Sequence, residues 1–153
     1  MRLISNSMKL SATYLIAAPR DKVFTALIDP NVLQRCIDVC ERMVKTSAES
    51  CDAHLKIGVA GFKGNYIGKL QFKEQEPPES FTLIIEVKAG PGFVKGTAFI
   101  QLAERVGETE LRCDADAQVG GLIAALGSRL IETAAKRMMD EFFRKFGELT
   151  KAV

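Results

Sequence analysis

The 153-residue chain has no tryptophan, one histidine and no large excess of either charge, with 21 lysines and arginines against 19 acids and a net charge of +2. That balance excludes a polybasic nucleic-acid arm and an acidic tail. A Ser-His-Asp or Cys-His site would have to be built on the one histidine, His54. It lies between Ala53 and Leu55 in an alternating segment, on the face of Asp52 and Lys56, which favours solvent exposure over general-base duty. The four cysteines, Cys36, Cys40, Cys51 and Cys113, include no CxxC pair. A structural zinc site normally announces itself with two closely spaced ligand pairs, so no metal site is expected. Cys113 reads as a small core residue, the other three as partly exposed thiols. A disulfide stays open only for an oxidising compartment or a hyperthermophile. No G-x-S-x-G elbow and no Gly-rich phosphate loop occur; Gly90-Pro91-Gly92 follows a strand without opening a helix and reads as a turn. The longest apolar run, Val119 to Gly127, is about nine residues where a membrane span needs about 20. The opening MRLISNS lacks the apolar core of a signal peptide, so the protein reads as cytoplasmic.

What is present describes one globular domain. Hydrophobic residues make up 47% of the chain and charged residues 26%, ordinary for a soluble fold large enough to bury a core without staples. Met8 to Ile16 alternates as a strand with one buried face. Pro19 and Asp21 open a helix carrying Val23, Phe24, Leu27 and Ile28; Asp29-Pro30 ends it, and Asn31 to Ile37 forms a second short one. Six strands follow, at Glu41–Thr46, Asp52–Val59, Phe62–Lys73, Phe81–Val87, Val94–Leu102 and Leu111–Val119. The links between them are short, so antiparallel pairing is expected, and one apolar and one polar face favour a single sheet covered on one side. After Gly120-Gly121 the period changes to 3.6, predicting one amphipathic helix of about 27 residues lying across the apolar face.

The fold class expected is therefore α+β: a curved seven-stranded antiparallel sheet around a long C-terminal helix, with two short helices after the first strand. The inward positions include Ala12, Ala53, Gly64, Gly68, Gly96, Ala98, Ala115 and Ala117. Either the helix drops close to the sheet through Ala134 and Ala135, or a cavity remains. The cavity is the favoured expectation, lined by Leu55, Tyr66, Leu70, Leu83, Ile85, Ala98, Cys113, Leu126, Leu130 and Met138. Its mouth would be at Phe62, Phe93 and Leu122. Tyr66 supplies a hydroxyl, and the inner strand face carries no carboxylate or amine. General acid–base chemistry needs a titratable group within reach of the substrate, so no catalytic residue is assigned. Such a pocket suits an apolar small molecule, each buried CH₂ contributing about 0.8 kcal/mol. The outer face, with Lys56, Lys63, Lys69, Lys73, Lys88 and Lys95 against Asp52, Glu86, Asp114 and Asp116, reads as a solvated surface; the sharper alternative is docking of an acidic partner or anionic headgroups. Nucleic acid is not expected, because outward aromatics for base stacking are lacking on the central strands.

The residues that carry a family resemblance are Ala17-Ala18-Pro19 with Val23-Phe24, the Cys36 to Glu41 segment, Pro77-Pro78-Glu79-Ser80-Phe81, and the closing Gly120-Gly121-Leu122 through Leu126-Gly127-Ser128-Arg129-Leu130-Ile131 to Phe142-Phe143. On these the chain resembles the START/SRPBCC superfamily, with its helix-grip fold, and more narrowly the family of the carbon monoxide dehydrogenase G protein (CoxG). The resemblance covers Met8 to Phe146. It departs at Asp38-Val39, where the family often has Pro-Gly. It implies one domain over 8–149, between an N-terminal extension (1–7) and a short tail (150–153), without the apolar C-terminal anchor of longer members. It also implies a non-catalytic accessory protein with no required cofactor, which binds a quinone or other lipid and serves a molybdenum-containing oxidoreductase, with peripheral contact at the inner face of the membrane. A cyclase or hydrolase of the superfamily, and an adaptor acting through the lysine face, are the alternatives.

Overall fold

The computed structural model describes residues 5–58, 63–89 and 92–151. The first strand, β1 (Ser5–Ile16), starts three residues before Met8, Ser5 pairing with Gly120 at the far end of the last strand. Two short helices follow, α1 (Arg20–Leu27) and α2 (Pro30–Cys36). They are separated because Asp29 takes an extended N-cap conformation and its carboxylate accepts a hydrogen bond from the Asn31 amide at 2.9 Å, with Pro30 in the first turn. Strands β2 (Cys40–Ser47), β3 (Ser50–Ile57), β4 (Gly64–Glu76), β5 (Ser80–Ala89), β6 (Gly92–Arg105) and β7 (Glu108–Gly121) complete one antiparallel sheet, in the order β1-β7-β6-β5-β4-β3-β2. Each strand pairs with its chain neighbour except β1, which closes onto β7.

The long helix is shorter than its periodicity predicts. Residues Ala124–Leu126 form a single 3-10 turn, and α3 runs over the 24 residues Ser128–Lys151. Gly127 breaks the run: its φ of 92° and ψ of 143° lie where essentially only glycine goes. At 1.5 Å per residue α3 is about 36 Å long.

The core fills one end of the fold. Phe24 of α1 packs edge-on against Phe81 with ring centroids 5.6 Å apart, and Phe72 lies 5.9 Å from Phe81. Ile100, Leu102, Leu111 and Cys113 form the buried floor there, and Phe143 and Phe146 of α3 close over it. Two contacts hold this half of the helix from opposite sides. Tyr14 of β1 stacks on Phe143 at 4.5 Å and donates a hydrogen bond to Asp140 at 2.7 Å. On the other flank Lys145 forms an ion pair with Asp38, in the segment joining α2 to β2. Asp38, where the sequence departs from the Pro-Gly pattern, thus ties that link to α3.

All four cysteines are buried and unpaired, which corrects the expectation that Cys36, Cys40 and Cys51 are partly exposed. Cys36 ends α2 and Cys40 begins β2, both beneath α3 or the helices packed on β2, so local polarity gave no sign of their burial. His54 is half-buried, its Nε2 3.4 Å from Arg42 across the β2–β3 pair.

Candidate functional site

Away from the core end, the inward face of the sheet is not filled. Along β6 the inward side chains pass from buried Leu102, Ile100 and Ala98 to half-exposed Gly96 and Val94; along β5 they pass from buried Phe81 to half-exposed Leu83, Ile85 and Val87. The registers place Gly96 opposite Ala117 and Ile85, Ala98 opposite Ala115 and Leu83, Tyr66 opposite Leu55, and Leu70 opposite Ile85. The expected small residues therefore share one face. At Gly96 a Cβ would meet only ordinary contacts, 3.8 Å from the Ala117 Cβ and from the Asp116 carbonyl oxygen, so close packing does not demand its glycine. Gly68 is tighter, 3.3 Å from a Val87 methyl.

The helix opposite does not cover this region. Its first half exposes Leu130 (57%) and Met138 (64%), and the preceding turn exposes Leu122 (67%) and Leu126 (45%). Helical geometry puts Leu130, Ala134 and Met138 along one flank, with Lys145 two turns beyond Met138 on the same side. Lys145 meets Asp38, so that flank faces the α2–β2 edge. The β1–β7 side is closed, with Met8, Val119 and Ala124 buried. The result is an apolar trough open toward β3–β5, in place of the enclosed cavity expected from the sequence. The two principal hollows of the described surface lie elsewhere: about 380 Å³ beside β1 and the end of α3, at Tyr14, Asp140 and Arg144, and about 760 Å³ on the outer face near Arg20, Glu79 and Phe99.

The candidate residues therefore separate. Leu55, Tyr66, Leu83 and Ile85 come together on the half-exposed sheet face. Leu122, Leu126, Leu130 and Met138 lie exposed on the facing turn and helix. Leu70, Ala98 and Cys113 are buried in the core beneath. Phe93 is on the opposite face: in continuous register it pairs with Lys88 and Gly120, and Lys95 Nζ lies 5.8 Å from its ring centroid. An odd position in β6 cannot share the face of Val94 and Gly96, so Phe93 does not form the mouth. Phe62 lies outside the described residues, as do the turn after Val59 and the first two residues of the Gly90-Pro91-Gly92 turn. Val87, Val94, Gly96, Ala115 and Ala117 also line the trough but were not singled out as ligand contacts, although the strand alternation carried the signal for them.

The described trough positions of β3–β7 carry no charged side chain. At the edge, Lys45 pairs with Cys51 and so falls on the inward side, but it is exposed. The expectation of an inner face free of amines thus fails at β2, where a register shift follows Lys45. Burial pushes the Cys113 thiol up to about 11 and, against the opposing pull of Lys145 and Arg35, that of Cys36 to about 11. It also raises Cys40 and Cys51, so none of the four is an activated nucleophile. Tyr14 is pushed well above the ordinary tyrosine range by burial and by its bond to Asp140, whose carboxyl is held low chiefly by the same bond. Among the described residues no group of three or more His, Cys, Asp or Glu is placed to hold a metal ion. No helix among them is long and apolar enough to cross a membrane.

The outer lysines alternate with acids. Lys69 is in register with Asp52 and Glu86, Lys95 with Glu86, Lys88 lies 3.3 Å from Glu86 and Lys73 3.8 Å from Glu49. That interleaving matches a solvated face better than a uniform docking patch.

A curved antiparallel sheet closed around a C-terminal helix, with two short helices after the first strand and an apolar hollow between, defines the helix-grip class. Solved structures agree. A conserved protein from Geobacillus kaustophilus is 28% identical with a TM-score of 0.87, over 94% of this chain and 95% of that one. An aromatase/cyclase from Streptomyces sp. R1128 is 12% identical with a TM-score of 0.71, over 95% and 94%, a likeness of fold alone. No curated protein matches the sequence significantly. Residues 13–149 match the family model of the carbon monoxide dehydrogenase G protein (CoxG), and the chain belongs to that family.

Proposed function

We propose that the protein is a non-catalytic accessory protein that binds an apolar small molecule, a quinone or another lipid, in the trough between the sheet and α3, and serves a molybdenum-containing CO dehydrogenase or a related oxidoreductase. The observation that carries the reading is the uncharged, half-exposed floor of Leu55, Leu83, Ile85, Val94, Gly96 and Ala117 facing the exposed leucines of the 3-10 turn and α3. Such a surface gains free energy by burying hydrocarbon, about 25 cal/mol per Å² of apolar area removed from water, and its Tyr66 hydroxyl can orient one polar end. Family membership supports the partner. A non-catalytic role is supported by the absence of any carboxylate, amine or imidazole from the described trough positions of β3–β7, since proton transfer requires such a group at the reacting atom. A cyclase or hydrolase would need water or the substrate itself to supply it.

Lipid extraction of purified protein followed by mass spectrometry identifies the ligand. Gly96→Leu or Ala117→Leu fills the trough from its floor. Either variant is expected to fold and to lose binding of decylubiquinone or oleate by tenfold or more; retained affinity in both would remove the trough as the site. Pull-down of CO dehydrogenase from a producing organism tests the partner.

A further inference from the structure

We infer that the first half of α3, together with the Ala124–Leu126 turn, is a cover that swings on Gly127 and closes over a molecule bound in the trough; the inference rests on the carrier reading above. Two apolar surfaces face the same space without burying each other. The sheet side is half-exposed at Leu55, Leu83 and Ile85. The helix side keeps Leu130 and Met138 more than half in water. A ligand in the trough supplies the partner that both lack, so loading and closure reinforce each other.

The helix is built to move at one end only. From Asp140 onward it is held on both flanks, by the Tyr14 hydrogen bond and ring stack and by the Asp38–Lys145 ion pair, and Phe143, Phe146 and Thr150 are buried. Before Asp140 no residue of α3 is buried. At the free end sits Gly127, in a glycine-only conformation, with only a 3-10 turn of i→i+3 bonds between it and β7. A helix anchored along its second half and jointed at its first residue has the mechanics of a hinged lid.

The test separates lid from carrier by measuring binding independently. Decylubiquinone and oleate are titrated into the wild type by calorimetry, and amide hydrogen exchange is followed in the empty and saturated protein. Exchange at residues 129–139 is expected to slow at least tenfold on saturation, with residues 143–150 unchanged. Leu130→Ser with Met138→Ser is expected to lower affinity roughly tenfold without moving the melting temperature, because both side chains are already in water when the trough is empty. Leu130→Trp adds the chain's single indole, whose emission is expected to shift blue with oleate. Binding with unchanged exchange at 129–139 and undiminished affinity of the double variant would overturn the lid and leave the carrier standing. Failure of both probes to bind the wild type would overturn the two together.

Discussion

At the scale of single residues, two cross-strand glycines illustrate how a position is set by its neighbour. A Cβ on Gly120 would fall on the ring of Phe93, and one on Gly92 on the Gly120 carbonyl oxygen. Phe93 therefore covers the backbone of its partner strand on the outer face, which is why an aromatic that the alternation of neighbouring strands made attractive as a ligand contact belongs to sheet structure. Tyr14 is a second case. Its hydrogen bond stabilises ionised Asp140 and neutral Tyr14 together, so the contribution is present at neutral pH. It is lost as pH falls through the depressed aspartate pKa, and again as pH rises beyond the ordinary tyrosine range of about 10. Tyr14→Phe keeps the stack on Phe143 and removes the bond, so it should cost about 0.5–1 kcal/mol at pH 7 and flatten the stability profile at both ends, as read by urea titrations from acid to alkaline pH. The cysteines give a kinetic expectation. With burial raising all four thiols, a thiol reagent at pH 8 should modify the native protein slowly and all four sites promptly in denaturant.

At the scale of elements, α2 exists as a separate helix because Asp29 caps it. Asp29→Ala should lower stability by about 1 kcal/mol, measured as a shifted denaturation midpoint with unchanged m-value. The second half of α3 is an element held by packing. Phe146 is completely buried, 6.2 Å from Phe142 and 6.3 Å from Phe143, and Phe146→Ala should cost about 3–5 kcal/mol. Lys145→Ala should cost far less in stability, because exposed ion pairs contribute little. The boundary between the two halves of α3 could not be read from periodicity, since the polar and apolar stripes run from Leu130 to Leu149 without a break. The same stripe is buried where α1, α2 and β1 meet it and bare where nothing does. The separation of the 3-10 turn from α3 had a local sign, the glycine at 127, but glycine alone does not tell a kink from a tolerated helix residue.

At the scale of the whole molecule, the fold was legible because strand alternation and short links leave an antiparallel meander few ways to pair. The closing pair was legible because β1 and β7 each carry one apolar face that must reach the same core. The candidate site was legible in part. Leu55, Tyr66, Leu83 and Ile85 follow from period-two counting, which assigns a side chain to a face; it does not say how far the opposing helix stands from that face. Leu70, Ala98 and Cys113 obey the same alternation as the trough residues and are buried, because they lie nearer the end where phenylalanines fill the space. The chain's own pattern thus determined the elements, their order, which side of each strand is apolar and the lack of charge along the trough strands, since these depend on local spacing and solvation. Whether that apolar side is packed or open, which flank of α3 is held, and whether Leu130 and Met138 are core or surface were decided only when distant segments met: burial belongs to pairs of surfaces, and one strand of residues carries only half of each pair.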